Sequence, residues 1–304
     1  METTVARSAV TAVVPGPGFD AHVLSWRTGA EISGLDLCDS AAIPESTIQA
    51  LWQLLGERGI LLFRNQPINH DQHLAFTRRF GPLAKTGLLG NNAPPGYPDI
   101  FRVTNIKNDG KRSETENAAQ QWHSDQSFLP VPARASLLRC VYAPQFGGDT
   151  MFANMAQVYD ALSDGLKATL ENLRAFHSLF SSRTLATVGR KAFTAVEQEE
   201  LQRLNGTWHP VVRVHEDTGR KTIFVSEQMV DHFEGWSMAD SAPLLDYLFH
   251  LSSRPAHTYR HRWQAGDVVM WDNRGTMHYA PLDYDFAALD APHNRRLMFR
   301  STLA

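Results

Sequence analysis

The stretch HTYRHRWQAGDVVMWDNRGTMH, residues 257–278, decides how this chain folds. HTYRHRW alternates polar and apolar side chains, as a half-buried strand does. DVVMWDN is a short apolar run of the length of a buried strand. QAGD between them carries a turn signal, so the two runs read as successive strands of a β structure. The second run ends in a polar knot, DNRGT, and then His278. An imidazole carried on a loop there can be swung towards other polar groups.

The same grammar extends outward. DIFRVTN (99–105), ASLLRCVYA (135–143), TMFANM (150–155), VVRVHE (211–216), KTIFVSE (221–227) and RRLMFRSTL (295–303) all read as strands. Glycine turns punctuate them at QFGGD (145–149) and EDTGRK (216–221). PESTIQALWQLLGERG (44–59) reads as a helix, with Ile48, Leu51, Leu54 and Leu55 as its apolar stripe and Gly59 as its stop, and the buried strand ILLFR (60–64) follows at once. NHDQHLAFTRRFG (69–81), MAQVYDALSDGLKATLENL (155–173) and ADSAPLLDYLFHLS (239–252) supply further helices. Many short strands with turn signals predict a mainly β fold, a sandwich or barrel, with the helices covering a face. Two polar stretches, 107–120 and 181–206, carry little core pattern, and long segments of this kind serve as lids or as surface excursions.

The chain has 304 residues, 43 % of them hydrophobic and 20 % charged, the balance of a globular protein with a sizeable core. A formal net charge of −3 and the lack of a basic run argue against a nucleic-acid partner. Cys38 and Cys140 form no CxxC pair, which argues against a disulfide framework and fits a cytoplasmic location. Cys140 reads as a buried strand residue. No segment approaches the roughly 20 apolar residues of a membrane span. Residues 1–20 read as a flexible lead-in to a single domain over 21–304, with lid insertions near 107–120 and 181–206.

The chemistry centres on QWHSDQSF, residues 121–128. His123 and Asp125 sit two apart, and on extended backbone side chains at i and i+2 project to the same side. An isolated HxD pair arises often by chance and needs a third ligand. His257 and His261 lie on the alternating strand, His70 and His73 on a polar helix face, and His177, His209 and His215 line a cavity or satisfy hydrogen bonds. His278 differs, because it follows the polar knot. Two histidines and a carboxylate on one face leave open positions, the pattern of non-haem iron(II) oxygenases. Arg296 and Arg300, four apart on the last strand, fall on one side of it and suit carboxylates, which a guanidinium binds bidentately. Thr150, in GGDT after a tight turn, adds a hydroxyl, although hairpin chemistry alone explains the glycines.

Taken together, TGAEISGLDL (28–37, followed by Cys38), ILLFRNQPI (60–68), AFTRRFGPL (75–83), WHSDQSF (122–128), GGDT (147–150), the stretch from Tyr259 to His278 and RRLMFR (295–300) resemble the taurine dioxygenase and dichlorophenoxyacetate dioxygenase family of iron(II)/2-oxoglutarate enzymes. The resemblance covers nearly all of the chain. It implies a double-stranded β-helix, or jelly-roll, core. It implies that His123, Asp125 and His278 hold Fe(II), and that Thr150 and Arg296 hold 2-oxoglutarate. It also implies that Arg300 reaches the anionic end of a small organic substrate, with dioxygen as second co-substrate and a homo-oligomer compatible with the chain. FGPLAKTGLL (80–89) departs from the taurine enzymes, offering Thr86 and Leu89 where those carry a histidine and a tyrosine. Ala119 stands where they have an asparagine. A more apolar pocket is expected, suited to a bulkier carboxylate such as an aryloxyalkanoate, or to a sulfonate or sulfate ester. The rivals are a zinc hydrolase using the same three ligands and a non-catalytic binding protein on the same fold. Paired arginines argue against the first, and the intact ligand set against the second.

Overall fold

A computed structural model describes residues 13–84, 92–106, 119–182, 199, 206–281, 283, 285 and 291–304. The predicted mainly β architecture is what forms. One sheet has eight strands: β1 (Val13–Gly16), β2 (Phe19–Val23), β3 (Ala30–Ser33), β4 (Ile60–Phe63), β5 (Phe101–Thr104), β6 (Ala135–Tyr142), β14 (Val268–Asp272) and β16 (Leu297–Leu303), in the order β1-β2-β3-β4-β14-β6-β16-β5. A three-stranded sheet has β7 (Thr150–Asn154) between β13 (Thr258–His261) and β15 (Thr276–Tyr279). A second groups β12 (Val230–Phe233), β8 (Arg174–His177) and β9 (Thr207–Pro210). β10 (Val212–Val214) and β11 (Lys221–Ile223) form a hairpin.

The strands come from period-two patterning with both faces covered. β6 is buried along six of its eight residues. Leu138 and Cys140 point one way and pack with Ile60, Leu62, Phe152, Trp271 and Met298. Phe152 belongs to β7 and Trp271 to β14, and their rings lie 5.7 Å apart, so the eight-stranded sheet faces the three-stranded one through this cluster. Leu137 points the other way, into a layer with Phe63, Met270, Ile48, Leu51 and Leu55. The last three come from α1 (Glu45–Arg58), whose apolar residues recur at helical spacing. α1 stops where predicted: Gly59 adopts φ 76°, a left-handed value that favours glycine, and its N–H donates to the Leu55 carbonyl. α2 (His70–Arg78) opens with a capping box between Asn69 and Gln72.

The helix expected over 155–173 is two, α3 (Met155–Asp160) and α4 (Asp164–Leu170). Ser163 breaks them by capping the second through its hydroxyl. α5 (Met238–Ser252) buries Leu245 and Leu248 against Val230 and Phe233. Residues 13–20, expected within a flexible lead-in, instead form most of an antiparallel pair in which Val13 faces His22 and Gly16 faces Phe19. Phe19 and Ala21 anchor it in the α1 layer. Of the expected lids, all but residues 119 and 120 of the first and 181, 182, 199 and 206 of the second lie outside the described residues. No helix among the described residues is long and apolar enough to cross a membrane.

Candidate active site

His278 lies within strand β15, opposite Phe152 of β7, and not on a loop as its sequence context suggested. The strand presses against the WHSD segment. His123 and His278 exchange both backbone hydrogen bonds, His123 N–H to His278 O at 3.0 Å and the reverse at 2.8 Å. This pairing sets their rings 4.0 Å apart. The segment is extended through Ser124, so alternation holds: the Ser124 hydroxyl turns away to donate to the Thr276 carbonyl, while His123 and Asp125 project together. His123, Asp125 and His278 each offer one ligand atom within 4.8 Å of the others, and all three are buried.

The electrostatics suit a divalent metal. Burial drives the pKa of His123 below its ordinary value, and burial together with the neighbouring His123 drives that of His278 well below it, so both rings are neutral at pH 7. His123 Nδ1 lies 2.9 Å from the Gln121 carbonyl, which can only accept; the proton is therefore on Nδ1 and Nε2 keeps its lone pair. Burial alone raises the pKa of Asp125, but Arg300, His278, His123 and the Ser136 hydroxyl outweigh it and hold the carboxyl at about 2. Two neutral imidazoles and a carboxylate are the donor set that a non-haem iron takes.

Arg300 donates to Asp125 Oδ1 at 2.6 Å and lies over the Phe101 ring, 5.2 Å from its centroid. Its position follows from register. Arg300 pairs with Leu138 and Met298 with Cys140, placing Arg300 on the face that packs inward. The extra residue that shifts this register lies in β6, at Val141, because pairing of β16 with β5 is regular. Arg296 therefore shares the Arg300 side, as the spacing predicted. Arg296 Nε donates to the Gly148 carbonyl at 3.2 Å. Two residues on, the Thr150 hydroxyl accepts from the Trp263 indole at 2.9 Å. Gly148 has φ 69°, and a Cβ there would press on Pro144 and approach the Arg296 side chain. The GGDT turn thus requires its glycines, but it serves no hairpin: it carries the chain from β6 in the eight-stranded sheet to β7 in the three-stranded one.

Thr86 and Leu89, with Leu88 between them, lie outside the described residues. Ala119 adopts φ 65°, and its carbonyl accepts from Ala280 N–H, tying the segment before His123 to the end of β15. Three histidines correct their sequence reading. His257, expected on the strand, closes a 3-10 turn before β13 begins. His261, expected half-exposed, is buried against Asp267 at 3.1 Å, and His73, expected on a polar helix face, is buried against the Ser301 hydroxyl at 2.8 Å. His215 pairs with Asp272 at 2.9 Å, the hydrogen-bonding role allowed for it. Sequence reasoning missed Ser136, which donates to Asp125 Oδ2 at 2.6 Å. A serine within the otherwise apolar run ASLL was the only signal.

Comparison with known proteins places this geometry. The model of the taurine catabolism dioxygenase TauD, TfdA family matches residues 20–302. The chain belongs to this family. A 2,4-dichlorophenoxyacetate dioxygenase of Cupriavidus pinatubonensis, dependent on alpha-ketoglutarate, is 36% identical over 82% of this chain and 87% of its own length. An alkylsulfatase of Acinetobacter baylyi is 36% identical over 86% and 79%. The crystal structure of AAD-2 with Mn(II) and N-oxalylglycine superposes with a TM-score of 0.76 at 30% identity, over 94% of this chain and 97% of that one. As a member of the TauD/TfdA family the chain is an oxidoreductase, an Fe(II)/2-oxoglutarate-dependent dioxygenase that uses dioxygen. The zinc-hydrolase and non-catalytic readings are not favoured by these relatives.

Proposed function

We propose that this dioxygenase hydroxylates a small organic anion with an apolar body, an aryloxyalkanoate carboxylate or a sulfate ester, and that hydroxylation next to an ether or ester oxygen leads to loss of the C–O bond. His123, Asp125 and His278 hold Fe(II); the observation that carries this is their convergence within 4.8 Å in a buried site. Bound Fe(II) supplies activation of dioxygen with 2-oxoglutarate for oxidation of a substrate C–H bond. The chain's own residues position and exclude. Arg296 and Thr150 take the far carboxylate of 2-oxoglutarate; both border the GGDT turn, and Arg296 is buried. Arg300, beside Asp125 and on the Arg296 side of β16, takes the anionic end of the prime substrate. The two guanidiniums hold two anions side by side and orient the substrate C–H bond. Thr86 and Leu89 contribute to the substrate pocket, and the relatives named for dichlorophenoxyacetate and alkylsulfates support a pocket of that class.

The core, on this reading, is a double-stranded β-helix (jelly-roll) in a single domain that takes in the β1–β2 pair, which begins before residue 21, with 107–120 and 181–206 as covers. The facing of β14 and β7 through Trp271 and Phe152 supports it. A cytoplasmic site of action belongs to the same reading, since both cysteines are free. The test has two stages. Anaerobic Fe(II) with 2-oxoglutarate is expected to give a visible charge-transfer band. Aryloxyalkanoates and sulfate esters are then screened for substrate-stimulated succinate formation. Stimulation by neutral compounds only would refute the anion assignment.

A further inference from the structure

Three buried side chains outside the ligand set form a directed chain of hydrogen bonds that ends on Asp125. Trp271 Nε1–H donates to Asn273 Oδ1 at 2.9 Å. An indole N–H can only donate, so the Asn273 amide is oriented with its oxygen towards Trp271 and its nitrogen away. The backbone N–H of Asp125 points at the same oxygen at 3.3 Å. Asn273 Nδ2 then donates to the Ser136 hydroxyl at 3.0 Å. With that lone pair taken, the single Ser136 proton is directed to Asp125 Oδ2 at 2.6 Å. Ser136, Asn273, Trp271 and Asp125 are each at most 5 % exposed, so no water competes for these bonds.

We propose that Ser136, oriented by Asn273 and Trp271, is a positioning residue that engages Asp125 Oδ2 and thereby presents Oδ1 to the metal. Oδ1 is the oxygen on the histidine side, 3.9 Å from His278 Nε2. A carboxylate with one free oxygen can rotate about its Cβ–Cγ bond and offer either atom or both. In the metal-free structure Arg300 Nη1 donates to Oδ1 at 2.6 Å, while Ser136 holds Oδ2 from a strand of the eight-stranded sheet, so Oδ1 is the atom that passes to the metal when the guanidinium turns to an anion and Oδ2 stays engaged. The inference rests on Asp125 being a metal ligand.

The test reads Mn(II) affinity of the purified full chain, by titration with electron paramagnetic resonance of the free ion, together with the thermal midpoint of the metal-free protein. Loss of an outer hydrogen bond to a ligand lowers metal affinity about 10–100-fold. S136A is expected to weaken Mn(II) by that factor while the metal-free protein stays folded. S136T, which keeps the hydroxyl and suits a strand, is expected to bind within about threefold of the unmodified chain. S136C, close to serine in size but a weak donor, serves as the second loss variant should S136A not fold; it is expected to weaken Mn(II) like S136A. Unchanged affinity in both S136A and S136C, or loss in S136T equal to theirs, overturns the proposal. D125A separates the two levels. If D125A abolishes binding and the folded loss variant does not weaken it, only the role of Ser136 fails; if D125A binds Mn(II) normally, the ligand reading fails with it.

Discussion

Replacing Asp125 by Ala in the metal-free protein strands a guanidinium. Arg300 Nη1 stands 2.6 Å from Asp125 Oδ1, with side-chain exposures of 15 % and 5 %. At that separation and an effective dielectric of about 20, the attraction is about 6 kcal/mol before desolvation of either ion is counted. Removing one partner of a buried pair costs about 3–5 kcal/mol, because the other charge stays buried without compensation. Water reaches part of Arg300, so the lower end applies. The Ser136 hydroxyl also loses its acceptor, adding roughly 1 kcal/mol. D125A is therefore expected to lose about 4 kcal/mol of stability. In D125A/R300M neither charge remains, and the double variant is expected to be more stable than the sum of single losses implies, by about 2 kcal/mol. Urea denaturation of the four proteins in excess chelator measures this cycle. A coupling below about 0.5 kcal/mol would show that the pair does not form in solution, and would refute the reasoning from its geometry.

R300Q is expected to raise the KM for the prime substrate about 100-fold with 2-oxoglutarate affinity nearly intact, the loss of one charge-assisted contact; steady-state kinetics with each co-substrate varied would sink this if the 2-oxoglutarate constant alone collapsed. R296M is expected to give the reverse split, weakening 2-oxoglutarate about 100-fold or more, which loss of the anaerobic visible band at moderate 2-oxoglutarate would register. His177 is buried, stacked on the Phe224 ring at 5.1 Å, and burial pushes its pKa down to about 3. The unfolded chain therefore takes up its proton first: stability is full above about pH 6.5 and falls as pH drops towards 3, by about 2 kcal/mol at pH 5. H177F is expected to flatten that acid limb in urea midpoints measured from pH 7 to 5; an unchanged slope would count against it.

The sequence made legible those elements whose reasons are local. α1 has its apolar stripe and its glycine stop, β4 and β14 have apolar runs because both of their faces are covered, and β6 and β16 are apolar enough around their few polar residues to read as strands. β1, β2, β3, β8, β9, β12 and β15 escaped notice, since each is short and polar or exposed positions interrupt its apolar residues, leaving no run that reads as a strand by itself. His278 was picked out as the candidate third ligand through spacing and resemblance, but its placement on a strand depends on pairing with β7 and with His123, which no local pattern encodes. His73 and His261 were misread for a similar reason. The partner of His73, Ser301, is 228 positions away, and the burial of His261 follows from the pairing of β13 with β7, where His261 lies opposite Thr150 from a distant part of the chain. Ser136 was invisible as a site residue because one serine in an apolar strand reads as a neutral substitution until the group facing it is known.

The backbone bridge between His123 and His278 bears on how the protein lives without its ion. Two of the three proposed ligands are neighbours because peptide groups hold them, not because an ion gathers them. The ordering cost of the site is met when the sheet assembles, whereas in a zinc finger the metal must organise the chain itself. Stripping with chelator should therefore leave a folded protein with its ligands still adjacent, ready to be reloaded. Loss of iron becomes a reversible vacancy in an intact scaffold, and exchange between Fe(II), Mn(II) and other divalent ions becomes a matter of supply in the surroundings more than of refolding.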